Sequence, residues 1–141
     1  MEQAAPIRKR MKRWEIPGNI RFITFSCQRR LPLLTNPAIC RLFVEAMTDT
    51  RRRLGVEIFA WVIMPEHVHM LMRPAGAATL DRALLAIKLS VAQRVIARWR
   101  ELQAPILERT RQPDGAPRFW QKGGGFDRNV RDTAALCRDI S

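Results

Sequence analysis

The 141-residue chain contains no tyrosine at all. Acid is also scarce: 13 Asp and Glu stand against 25 Lys and Arg, which leaves a formal charge of +12 at pH 7. So large an imbalance points to a polyanionic partner, with nucleic acid the first candidate. Cysteine is sparse, and Cys27, Cys40 and Cys137 share no C-x-x-C spacing. That excludes a disulfide framework and a thiolate zinc site, and it fits a reduced, cytoplasmic setting. No run approaches the roughly twenty apolar residues of a membrane span. The N-terminal "MEQAAPIRKRMKRW" is basic but lacks the apolar stretch of a secretory signal.

What is present suits one α+β domain over residues 1–141 that begins with a basic arm of about fifteen residues. "IRFITFSCQRR" is rich in β-branched and aromatic residues and reads as a strand. Asn36-Pro37 marks a helix start, and Gly55 after "RRR" marks its end. "VEIFAWVIM" reads as a strand too apolar for an exposed edge, and Pro65-Glu66 turns the chain into a third strand, "HVHMLM". Thr79 to Leu102 carries Leu80, Leu84, Ile87, Val91 and Val95 at helical spacing, with Lys88 at the edge of that stripe. Residues 103–117 read as a long connection. "RFWQKGGGFDRNV" holds a short fourth strand, and another helix begins near Arg131. The β-α-β-β-α-β order is the ferredoxin-like pattern, with an added C-terminal helix.

His67 and His69 are the only histidines. Side chains alternate across a strand, so the two share one face while Val68, Met70 and Met72 take the other. Imidazoles roughly 7 Å apart along a strand can converge on one divalent ion, but two ligands are too few to hold it. Spacing alone leaves open a second reading, two hydrogen-bonded histidines with no chemical role. Glu66, adjacent to His67, would point to the opposite face if the strand began there, and it is not assigned to the metal.

"WVIMPEHVHMLM" resembles the signature of single-tyrosine HUH transposases, and the chain is most similar to the REP-associated tyrosine transposases. The likeness continues in order through "EIPGNIRFITFSCQRRLPLL", "IKLSVAQRVIARW" and "RFWQKGGGFDRN". It implies a ferredoxin-like, dimeric enzyme that cleaves and rejoins single-stranded DNA at hairpin-marked sites. It also implies a tyrosine that attacks the phosphate to form a covalent 5′-phosphotyrosine. His67 and His69 match the two histidine ligands of magnesium or manganese. The family's tyrosine lies in a pattern like Tyr-Ile-x-x-Asn-Pro, and "ALCRDIS" resembles the residues just ahead of it. The expectation is therefore a chain that stops short of its nucleophile. Phe126, as a replaced tyrosine, is a weaker explanation, since it follows a glycine turn.

A non-catalytic DNA-hairpin or single-strand-binding module is the competing function. A water-using metal nuclease needs more acidic ligands than this region offers. For the DNA itself, Arg29, Arg30, Lys88, Arg94, Arg118, Lys122 and Arg128 are candidate cations, and Trp120 and Phe126 candidate stacking platforms. Trp61 and Trp99 are read as core.

Overall fold

The computed structural model describes residues 20–76, 79–123 and the backbone of 126–130. The basic N-terminal arm, the helix expected from Arg131 and Cys137 lie outside the described residues. Four strands, β1 (Ile20–Ser26), β2 (Glu57–Ile63), β3 (His67–Arg73) and β4 (Phe126–Val130), form one sheet in the order β2-β3-β1-β4. Every neighbouring pair is antiparallel. β1 and β2 therefore run parallel on either side of β3, the split arrangement of the ferredoxin-like fold. The helices α1 (Pro37–Leu54), α2 (Thr79–Leu102) and α3 (Ile106–Thr110) complete the α+β domain.

Local chemistry explains the boundaries of α1. The Ala38 N–H donates to Asn36 Oδ1 at 2.8 Å, and Pro37 occupies the first turn. At the other end Gly55 adopts φ 70° and its N–H donates to Arg51 O. Only glycine takes that left-handed conformation without a Cβ penalty. Asn36→Ala is expected to cost about 1 kcal/mol, measured as a shift in the urea midpoint at constant slope.

Alternation along the strands sorts the sheet into two faces. Ile23, Phe25, Val68, Met70 and Met72 pack against Ile39, Phe43 and Met47 of α1 and against Ile87 and Val91 of α2 in one buried cluster. The opposite parity, Thr24, His67 and His69, faces away from those helices. Between α2 and β4 the chain makes α3, which periodicity did not reveal. It then returns to the core at Phe119 and Trp120, where Trp120 bridges to Cys27 at the end of β1.

One expectation is overturned here. Composition makes β2 look too apolar for an edge, yet it is an outer strand, and Phe59, Trp61, Val62 and Met64 are exposed. The split βαβ topology forces this, because β3 inserts between β1 and β2 and leaves β2 outside. Trp61, read as core, is 45% exposed. Trp99 is partly buried and stacks on Phe119.

Candidate metal and DNA site

The histidine pair is positioned by the hairpin that joins β2 to β3. Met64, Pro65 and Glu66 form the connection, closed by the Met64 N–H donating to His67 O. Its tip is tied down from outside: the Cys27 N–H donates to Glu66 O and the Leu34 N–H to Pro65 O, each at 2.9 Å. The register then sets His69 opposite Thr24 and His67 opposite Ser26. His69 stacks on Phe22 with ring centroids 5.4 Å apart. His67 stands at 90° to it.

The resulting geometry is directional. The two Nε2 atoms converge at 3.1 Å. The two Nδ1 atoms point outward to different partners, His69 to Thr24 Oγ1 at 2.9 Å and His67 to Glu66 Oε2 at 3.3 Å. Two imidazole nitrogens, each about 2.1 Å from one ion, stand about 3 Å apart when their bonds meet near a right angle. Metal-bound histidines characteristically anchor their second nitrogen in this way. The donor set thus fits a divalent ion. Among the described residues no group of three His, Cys, Asp or Glu gathers around a common point. Further ligands to such an ion would be oxygens from water or a phosphate. His69 has its pKa pushed below the ordinary imidazole value by burial and then by neighbouring His67, which favours the neutral ring.

Because β3 begins at His67, Glu66 is not held to the opposite face, and it is a neighbour of the His67 ring. It lies in the turn before β3, where strand alternation does not apply. The same carboxylate oxygen meets Arg30 Nη2 at 3.3 Å, and Arg30 Nη1 reaches Ser26 Oγ. Arg29 and Arg30 both take positive φ, 52° and 54°. That conformation costs about 1–2 kcal/mol for each non-glycine residue. The Arg29 guanidinium is bound to the carbonyls of Arg109 and Arg111 at 2.6 and 2.7 Å, which straps α3 to the end of β1. Arg30, by contrast, is a largely exposed cation beside the histidines.

The remaining candidates scatter. Lys88 lies over the Phe25 ring, on the helix side of the sheet and so across it from the histidines. Together with Arg118 and Trp120 it lines a groove of about 610 Å³ along α2. Trp120 is 4% exposed. Its ring meets Phe25, Phe43 and Phe119, and its Nε1–H donates to Lys88 O. A base-stacking role for Trp120 is therefore corrected to a core role, because its ring is already packed. Arg118 Nε donates to Trp120 O. Arg94 pairs with Glu45 on the outer surface of α1 and α2, and Lys122 is exposed in a loop. In β4 the register sets Arg128 opposite Phe22 and Phe126 opposite Thr24, in the same row as His69. Cys27, close to Glu66, is no substitute nucleophile: burial pushes its thiol up to about 12.

Comparison with known proteins agrees with this architecture. The family model described as "Transposase IS200 like" matches residues 19–123. A REP-associated tyrosine transposase, solved bound to a REP hairpin, superposes with TM-score 0.66 at 20% identity. That alignment covers 94% of this chain and 68% of the other. A protein described as a candidate transposase from Deinococcus radiodurans R1 superposes with TM-score 0.59 at 15% identity, covering 99% and 92% of the two chains. No curated protein matches. The chain belongs to the IS200-like transposase family.

Proposed function

We propose that this domain binds hairpin-bearing single-stranded DNA and presents one phosphate to a divalent ion, magnesium or manganese, held by His67 and His69. The convergence of the two Nε2 atoms at 3.1 Å, with both Nδ1 atoms anchored, carries this reading. A bound ion would polarise the scissile phosphate and offset negative charge developing in the transition state. The protein's own part is to hold the two nitrogens in register and to draw the backbone in with cations, Arg30 beside the pair among them. HUH-type strand transfer proceeds by transesterification with a tyrosine hydroxyl, and these 141 residues contain none. That absence favours, as a second reading, a hairpin-binding module without cleavage activity. The outer strand β2, with Phe59, Trp61, Val62 and Met64 exposed, supports assembly as a homodimer.

The two activities separate in one experiment. The 141-residue protein is incubated with end-labelled hairpin DNA and manganese, then run on native and denaturing gels. Retardation on the native gel without any denaturation-resistant adduct is the expected result. With about four phosphates neutralised, affinity should fall roughly 50-fold between 50 and 200 mM salt. A covalent adduct would refute the missing-nucleophile reading, and no retardation at low salt would refute DNA binding.

A further inference from the structure

We propose that the two histidines have unlike anchors because they have unlike tasks: Glu66 locks the tautomer of His67, whereas the Thr24 hydroxyl lets His69 exchange its tautomer when a cation enters. This rests on the metal reading above and adds what each anchor does.

Proton bookkeeping along the chain of contacts leads there. A carboxylate only accepts hydrogen bonds. With both rings neutral, the 3.3 Å contact to Glu66 Oε2 requires the proton of His67 to sit on Nδ1. Its Nε2 is then a bare lone pair. The 3.1 Å contact between the Nε2 atoms needs one donor, so in the metal-free protein His69 carries its proton on Nε2. Its Nδ1 must then accept, and the Thr24 hydroxyl donates to it across 2.9 Å. A cation needs lone pairs on both Nε2 atoms. His67 already offers one. His69 offers one only after losing its Nε2 proton to water and gaining another at Nδ1, with no net proton released. The Thr24 hydroxyl then turns from donor to acceptor. A hydroxyl does both, which a carboxylate does not. Arg30, sharing Glu66 Oε2 at 3.3 Å and Ser26 Oγ at 3.2 Å, holds the fixed half in place.

The test uses the whole protein labelled with ¹⁵N-histidine and reads two-bond ¹H–¹⁵N correlations, with cadmium as a diamagnetic probe. Metal-free, His67 is expected as the Nδ1–H form and His69 as the Nε2–H form. Loaded, both become Nδ1–H. Thr24→Val should weaken cadmium binding about 10-fold, and Thr24→Ser should restore it. Glu66→Ala should release His67 into a tautomer mixture without unfolding the chain, and Glu66→Gln, which keeps an acceptor oxygen, should restore the lock. Identical tautomers for the two metal-free rings would overturn the proposal, as would a Thr24→Val variant that binds cadmium like the parent. If the parent takes up no cation, the metal reading and the exchange at His69 fall together. The metal-free spectra then still decide whether Glu66 locks His67.

Discussion

His69→Ala is expected to lower divalent-ion affinity about 100-fold, read by isothermal titration with manganese. Structural zinc sites with four ligands bind with about 10–16 kcal/mol, or about 3 kcal/mol per ligand, which is roughly 100-fold. Here the described residues supply two nitrogens and no third ligand of the usual types. Losing one leaves a single imidazole, which holds an ion little better than water does. The fold should persist, because His69 lies on the face away from the core cluster and its contacts are with Phe22, His67 and Thr24. Hairpin binding should persist as well, since phosphates are neutralised by arginine and lysine. A variant that keeps manganese affinity would remove the histidine pair from the metal reading.

Phe43→Ala is expected to have the largest effect on stability, about 3–5 kcal/mol by urea unfolding with an unchanged slope. Phe43 is fully buried in the middle of α1. Its ring centroid lies 6.2 Å from that of Phe25 on β1 and 6.1 Å from that of Trp120. One side chain therefore joins a helix, the sheet and the returning segment 119–120, and alanine leaves a cavity that three elements cannot close together. Small domains are typically stable by about 5–15 kcal/mol, so this variant stands near the edge of folding. A loss below about 1 kcal/mol would mean that the surrounding rings collapse into the gap.

Much of this was legible in the residues, for identifiable reasons. Period-two alternation in β1 and β3 separates His67 and His69 from Val68 and Met70 in the sequence alone. Asn36-Pro37 and Gly55 bounded α1 through chemistry that acts within a few residues. What failed were properties set by topology. Nothing local distinguishes an apolar outer strand from an inner one, so β2 was misplaced and Trp61 with it. Trp120 follows a proline-rich stretch and precedes three glycines, which looks like surface; a strap from Arg29 to the end of α3 and a bridge to Cys27 bring it inside. Strand parity does not fix Glu66, because the strand begins only at His67. Whether Lys88 and His69 share a side of the sheet depended on which face α2 covers.

The alternation along β3 also bears on how such a protein takes substitutions. On the metal reading, chemistry would sit with the two histidines and packing with Val68, Met70 and Met72, so substitutions at the two sets should act independently. Substitution of His67 and His69 leaves Val68, Met70 and Met72 in the core, where they still hold a foldable domain. A chain altered only at those two histidines should therefore remain a folded, basic domain.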